Sequence, residues 1–495
     1  MADMADMADR DSGQRGAAVL LRGARMIDPA RAMDGPGAVV ISDGRIVACG
    51  LASGSGESAL LGPDVTRALG RMEAEGRRVR VIDLPAGWVV APGFVDLHAH
   101  LREPGFEAKE TILTGARAAA HGGFTTICAM PNTNPVIDTR AGVEFVQRAA
   151  AEADAHVRVI AAISKGEQGA ELSEMGELAE AGAVAFSDDG RPVSSGKVMR
   201  HALEYAAPLG LPIVEHCQDE ELVGAGVMHE GAAATRLGLK GWPAAGEVVM
   251  LARDLELVRA TGARYHAAHL SVAGAVDLVR AAKLAGLAVS AEVTPHHLLL
   301  TDDWVAGERT GPLAEALTAL TGEALPEGPR YDANAKVNPP LRTAEDCAAL
   351  LAGLLDGTID AIATDHAPHT QVDKDGEFGE AAFGISGFET ALAALLTLVH
   401  TGQLPLTTLI AALTVRPAQA WGLDAGTLEP GALADLVIFD PAEEWTMDPA
   451  RFASLGKNTP LAGVRLRGRV RQTWLGGRMV YDAADESAAT LRDTE

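Results

Sequence analysis

Cysteine, positive charge and long apolar runs are all scarce in this chain, and each shortage argues against a class of protein. Only four cysteines occur, Cys49, Cys128, Cys217 and Cys347, scattered and without a C-x-x-C pair. They read as reduced, mostly buried thiols of a cytosolic protein rather than as a disulfide framework. Basic residues number 42 against 67 acidic ones, a formal charge of −25. Such a surface repels nucleic-acid phosphates, yet one local arginine can still hold a small anion. No apolar stretch approaches the ~20 residues that a membrane span needs. The N-terminus repeats Met-Ala-Asp three times and lacks the basic start and apolar core of a signal peptide. Residues 1–16 therefore read as a disordered lead and 486–495 as a loose tail, and a cytoplasmic protein is expected.

Apolar residues, by contrast, are plentiful. They make up 47% of 495 residues, enough for a sizeable core and more than one domain. Short β-like runs lie at 19–27, 38–46 and 79–84, and others of the same character at 433–440, 464–471 and 472–481, the last two as a hairpin-like pair. They predict a small β-sandwich domain built from both ends, 17–87 and 426–485, with a Gly/Ser/Glu-rich, partly helical insertion at 50–76. Between them, 88–425 alternates β-like runs with amphipathic helical stretches. Candidate strands fall near 89–98, 125–130, 157–163, 183–187, 212–215, 264–268, 288–293 and 359–363. Eight strands with intervening helices predict an α/β fold, a (β/α)8 barrel. A doubly wound open sheet is the alternative, weakened because no G-x-G-x-x-G follows the first strand. Residues 307–331 read as a surface excursion after the seventh strand.

His98, His100 and Arg102 sit at alternate positions at the end of the first candidate barrel strand. In an extended chain the two imidazoles project to one side as a pair of metal ligands. Arg102 continues that face as a fork suited to a carboxylate. Barrel enzymes take catalytic groups from the C-terminal ends of strands. Here the fourth strand ends in Asp188-Asp189-Gly190, the fifth in Glu215-His216, the sixth in His269 and the eighth in Thr364-Asp365-His366. A lone residue of these types is ordinarily a loop polar group; five strand ends together are a divalent-metal site. His98, His100 and Asp365 can hold one ion and His216 and His269 a second. A carboxylate of the Asp188-Asp189 pair bridges them, and alternation does not choose which. Nitrogen-rich ligation favours zinc, with cobalt or manganese as substitutes. Two ions sharing a water would lower its pKa towards neutrality, with Asp365 as general base and acid. His296 and His297 read as caps of the seventh strand, His366 as structural, and His369 as within reach of a substrate.

Six stretches carry a resemblance: Val95-Asp-Leu-His-Ala-His-Leu-Arg-Glu-Pro-Gly105, Met130-Pro-Asn-Thr133, Ala185-Phe-Ser-Asp-Asp-Gly190, Asn338-Pro-Pro-Leu-Arg342, Ala363-Thr-Asp-His-Ala-Pro-His369 and Gly456-Lys-Asn-Thr-Pro460. They resemble the bacterial class I dihydroorotases of the amidohydrolase superfamily, and the likeness covers nearly all of 19–481. It implies a zinc-dependent barrel that reversibly closes N-carbamoyl-L-aspartate to (S)-dihydroorotate in pyrimidine synthesis. It further implies His98, His100, Asp189, His216, His269 and Asp365 as ligands of two zinc ions per subunit, with a single ion as the alternative. It likewise implies Asp365 as the catalytic residue and His100, Arg102, Asn132, Asn338, His369, Phe383 and Gly384 as the substrate contacts. A homo-oligomer and an aspartate transcarbamoylase partner belong to the same expectation. Superfamily relatives acting on neutral rings bridge their metals with a carboxylated lysine; here Asp188-Asp189 stands in its place. Ala382 replaces a proline common before Phe-Gly. The rival readings are a hydrolase for an uncharged cyclic amide, which would not need Arg102, and a non-catalytic scaffold, which would have lost ligands that this chain retains.

Overall fold

The computed structural model describes residues 18–52 and 61–485. The expected lead, the tail and the stretch 53–60 of the first insertion lie outside the described residues.

Eight parallel strands form the central sheet in strict sequence order: Phe94–Ala99, Phe124–Ala129, His156–Ala161, Ala183–Ser187, Ile213–Glu215, Tyr265–Ala267, Val289–Val293 and Ala361–Ile362. A parallel bridge from Ala99 to His366, with the His100 amide donating to the His366 carbonyl at 2.8 Å, brings the last strand back to the first. The result is a nearly closed (β/α)8 barrel. Its strands are buried on both faces, as parallel strands covered by helices must be. Ile127, Val159 and Ile213 join the main core with the surrounding helices. Their neighbours Cys128, Ile160 and Val214 join a separate cluster with Trp421, carried on helix Val415–Trp421. Polar caps start the helices where the chain turns back: Thr111 before Ile112–His121, Ser195 before Gly196–Ala206 and Thr343 before Ala344–Asp356.

The second sheet draws on both ends of the chain. Arg478–Asp482, Arg465–Leu475, Leu436–Thr446, Val89–Pro92, Ala18–Asp28, Met33–Ser42 and Arg45–Leu51 pair in that order, and Val79–Asp83 runs parallel to Ala18–Asp28. Alternation divides its two faces: Leu21, Val39, Ile41, Leu436, Ile438 and Trp474 share one core. Leu20, Ala38, Val40 and Ala48 meet Val65, Ala68 and Met72 of helix Gly62–Ala74. The first insertion thus supplies a cover for this sheet. In the hairpin, Gln472 and its neighbours through Leu475 continue the long strand and Gly476-Gly477 make the turn, so the partners are not split at Gln472.

Two sequence expectations are corrected here. The run 89–98 is two strands, not one: Val89–Pro92 pairs with the terminal sheet, and the barrel strand begins at Phe94. Gly93 is the junction, its amide donating to the Asp435 carbonyl at 2.9 Å. The insertion 307–331 is not merely a surface excursion. Its helix Pro312–Thr321 buries Leu313 and Leu317 in the main core, because an apolar helix stripe gains by leaving water. No helix among the described residues is long and apolar enough to cross a membrane.

Gly93 leaves no room for a side chain, since a Cβ there would lie 2.0 Å from Thr125 Oγ1 and 2.7 Å from its Cβ. Gly93→Ala should destabilise the protein by about 1–3 kcal/mol through overpacking, read as a lowered thermal midpoint. An unchanged midpoint would show that the two sheets shift freely at this junction.

Candidate metal centre and substrate pocket

The strand ends bring six ligand-type side chains together. His98, Asp189 and His269 form one group with ligand atoms within 4.8 Å of one another, and His98, His100 and Asp365 form another. Asp189 Oδ1 lies 3.4 Å from His98 Nε2, 3.6 Å from His269 Nε2 and 3.7 Å from His216 Nδ1. Its Oδ2 lies 3.5 Å from His100 Nε2. Asp365 Oδ1 stands 3.1 Å from His100 Nε2 and 3.7 Å from His98 Nε2. Asp189 therefore faces every imidazole of the cluster. Asp188 points away, accepting from the Ser164 amide and hydroxyl.

The chain leaves the extended conformation at three of these strand ends. Arg102 (φ 63°), His269 (φ 28°) and Asp365 (φ 46°) all occupy the left-handed region, which is costly for side chains with a Cβ. The barrel strand itself stops at Ala99, so Arg102 does not reach the site by continuing the alternation of His98 and His100. Its backbone turns, and Nε donates to the Pro368 carbonyl at 3.3 Å.

Three of the four imidazoles are fixed by a partner on the outer nitrogen. Glu292 Oε1 accepts from His98 Nδ1 at 2.9 Å, while Oε2 accepts from His266 Nε2 at 3.1 Å. Asn132 Oδ1 lies 3.0 Å from His100 Nδ1, and its Nδ2 donates to Asp189 Oδ2 at 3.4 Å. Gln218 Oε1 lies 3.0 Å from His216 Nε2. A carboxylate or amide oxygen only accepts, so the ring protons sit outward and bare nitrogens turn inward. His98 Nε2 and Asp189 Oδ1 are buried and have no hydrogen-bond partner. Lone pairs converging on one buried spot fit a cation, and imidazoles held from behind are the usual setting of a metal ligand.

The electrostatics agree. Burial opposes charge on Asp189, and it is positive charge at the positions of the surrounding imidazoles, His98 first, that brings it well below the usual carboxylate range, so the cluster favours a cation at its centre. Burial also opposes charge on Asp365, and the His100 hydrogen bond with the neighbouring histidines keeps it low. Glu292 is brought down to about 2 against its burial by His266 and His98. Burial lowers Arg102 to about 10, with Asp365 and Asp189 opposing the fall, so it stays charged at neutral pH.

The pocket beside the cluster is rich in donors. His369 Nε2 meets the Phe383 carbonyl at 2.8 Å and its Nδ1 meets Lys109 Nζ at 3.3 Å, so the ring carries its proton on Nε2. Burial, then the charges of Arg102, Lys109 and Lys374, push His369 down to about 2, and the ring is neutral. Arg102 Nη2 lies 3.3 Å from that Nε2. Two donors face each other there. Phe383 and Gly384 pack on His369, but their backbone edge is partly used, since the Gly384 amide donates to the Lys336 carbonyl at 2.8 Å. Asn338 stands on the far side, against Gln218.

Sequence reasoning missed the residues behind the site. Glu292, Asn132's grip on Asp189, and Gln218 carry no motif spacing of their own. Lys336 and Lys374 were missed as well. Lys336 Nζ donates to the Phe378, Gly379 and Ala381 carbonyls at 2.6–2.9 Å, and Lys374 Nζ to those of Ala333 and Ala382 at 2.8 and 2.7 Å. Together they hold the loop that carries Phe383. The expected bystanders are structural. His297 bonds Thr294 and the Pro339 carbonyl, and His366 lies 3.4 Å from Glu110 and stacks on Phe388. His296 and His297 lie in the short helix Pro295–Leu299 that follows the seventh strand, with Thr294 as its cap.

Comparison with known proteins agrees with this geometry. A family model described as Dihydro-orotase-like matches residues 87–274. The dihydroorotase of Anaeromyxobacter sp. (strain K) is 52% identical over 465 residues, covering 94% of this chain and 98% of that protein. The dihydroorotase of Syntrophus aciditrophicus (strain SB) is 47% identical over 464 residues, covering 94% and 99%. Among solved structures, L-hydantoinase (dihydropyrimidinase) from Arthrobacter aurescens superposes with a TM-score of 0.75 at 24% identity, covering 94% of this chain and 96% of that one. At that identity the likeness concerns the fold, a barrel with a flanking β domain. Identity of about one half along nearly the whole length goes further: this chain belongs to the dihydroorotase family of cyclic amide hydrolases.

Proposed function

We propose that this enzyme interconverts N-carbamoyl-L-aspartate and (S)-dihydroorotate in the cytoplasm, as a step of pyrimidine synthesis, with two zinc ions in the six-residue cluster. The observation that carries the reading is the cluster's neighbour: Arg102 stays charged, bonds the Pro368 carbonyl and stands 3.3 Å from His369 Nε2, and forms no ion pair with a carboxylate among the described residues. A guanidinium held out of bulk water without an anionic partner fits a carboxylate brought by the substrate. Dihydroorotate keeps such a carboxylate, whereas hydantoins and dihydrouracil have none.

His98, His100 and Asp365 would hold one ion, His216 and His269 the other, with Asp189 shared between them. Zinc bound there supplies Lewis-acid polarisation of the amide carbonyl and a water of lowered pKa. The chain's residues do the rest. Arg102 and His369 fix the substrate carboxylate and so orient the ring over Asp365. Asp365, ionised, accepts the proton of the attacking water on its carboxylate. It then returns that proton to the ring nitrogen as the C–N bond breaks. Closure follows the same path in reverse, Asp365 first taking the proton from the carbamoyl nitrogen. Asn132, already bonded to His100 and Asp189, keeps those two side chains in register while the substrate enters.

Three outcomes test this. Asp365→Asn should lower kcat by about 10³-fold, the scale of a lost general acid and base, while the thermal midpoint holds. Unchanged turnover would remove Asp365 from the chemistry. Arg102→Met should raise KM for dihydroorotate about 10–100-fold, as expected for losing a hydrogen bond to a charged group. Hydrolysis of dihydrouracil but not of dihydroorotate by the unaltered protein would overturn the substrate assignment. Finally, a chelator should abolish turnover, and zinc should restore it with two equivalents bound by elemental analysis; full activity of metal-free protein would refute the metal assignment.

A further inference from the structure

Asn338 Oδ1 is buried and meets no hydrogen-bond partner, while its Nδ2 donates to Gln218 Oε1 at 2.8 Å. That same Gln218 oxygen lies 3.0 Å from His216 Nε2. Gln218 follows His216 by two residues, on the segment after strand Ile213–Glu215, and its backbone N–H donates to Met250 Sδ at 3.2 Å. No sequence motif singled it out.

We propose that Gln218 is a positioning residue that sets the hydrogen-bond polarity of the substrate pocket. One oxygen decides which nitrogen His216 turns inward and which end of the Asn338 amide meets the substrate. The orientations are linked in a chain. His216 Nδ1 lies 2.9 Å from His269 Nε2 and 3.7 Å from Asp189 Oδ1, inside the cluster of lone pairs. If a cation occupies that cluster, Nδ1 must be bare, so the ring proton is on Nε2 and needs an acceptor. Gln218 must then present Oε1, not its NH2. An Oε1 facing Asn338 requires a donor in return, so Asn338 turns Nδ2 to Gln218 and Oδ1 to the pocket. With Gln218 reversed, every contact changes sign. His216 would accept on Nε2 and aim an N–H into the metal cluster, and Asn338 would offer the substrate a donor.

The consequence concerns specificity. Arg102 offers only donors on its side of the pocket, and Asn338 offers an acceptor on its own. A substrate carrying a carboxylate at one end and an amide N–H at the other is complementary to both. An isolated pair of carboxylates is not. The inference rests on the proposed reading of Asn338 as a substrate contact, and extends it by naming the group contacted, an amide N–H, and the residue that enforces the choice.

The test compares Gln218→Leu, which removes the acceptor, with Gln218→Glu, which keeps it, in the full-length zinc-loaded enzyme. Asn338→Ala serves as reference. In excess zinc, Gln218→Leu should raise KM for dihydroorotate about tenfold with kcat within about twofold, the effect of one mispositioned hydrogen bond. It should also speed zinc release to a chromophoric chelator about tenfold, the scale seen when the outer partner of a metal-bound histidine is lost. Gln218→Glu should restore both readouts to within about threefold of the parent. Gln218→Met, nearly isosteric, replaces the leucine variant if that protein fails to fold. Equal behaviour of the Leu (or Met) and Glu variants would overturn the proposal. So would a raised KM with unchanged zinc release, or the reverse, because one oxygen would then not serve both bonds. If Asn338→Ala leaves KM unchanged, the reading of Asn338 as a substrate contact falls, and this proposal with it. A raised KM in Asn338→Ala beside a parent-like Gln218→Leu defeats the proposal alone.

Discussion

The architecture of the site depends on one electrostatic constraint: a buried aspartate, Asp189, faces four imidazoles whose inner nitrogens carry lone pairs. Its two oxygens lie within 3.4–3.7 Å of His98, His100, His216 and His269. Bare nitrogens and carboxylates repel one another and, buried without a partner, carry a large desolvation cost. The arrangement persists because three of the four rings are held from behind. Glu292 serves two histidines at once, and its second oxygen reaches His266 inside the barrel. Asn132 and Gln218 do the same for His100 and His216. These outer partners thus keep the protons of three rings away from Asp189, and a cation is the species that such a cluster of lone pairs suits.

The substrate side has the opposite polarity. Arg102 is lowered only to about 10 by burial, because Asp365 and Asp189 favour its charge, whereas His369 is kept neutral by burial and by three nearby cations. An acceptor-rich metal cluster therefore adjoins a donor-rich pocket. The loop that closes the pocket carries its own internal bonds. Lys336 and Lys374 spend their protons on backbone carbonyls, so they hold Phe383 in place and do not compete with Arg102 for an anion. Lys336 also lies over the Phe383 ring, 4.3 Å from its centre.

Much of this was legible in the residues. Strand periodicity located eight barrel strands within a few positions, and the ligand-type residues fell at their C-terminal ends, where a barrel concentrates polar groups. The junction at Gly93 was not legible, because Val89 through Ala99 reads as one apolar run on both sides of it. Which of Asp188 and Asp189 faces the imidazole cluster was not legible either. Both stand past the last regular strand residue, Ser187, where alternation no longer applies. The helix in 307–331 looked like surface because its burying partner, helix Phe388–His400, is distant in sequence.

The sequence by itself determined the class of fold, the six ligand-type side chains and the arginine beside them, since each is a matter of residue type at a strand end. Tertiary structure alone decided how those side chains are aimed. Arg102, His269 and Asp365 reach the site through left-handed backbone turns that no periodicity encodes. Partners within the site also come from remote segments: Glu292 stands 194 residues from His98, and Asn338 lies 120 residues from Gln218. Hydrogen-bond direction is a property of pairs in space, and such pairs exist only once the barrel has closed.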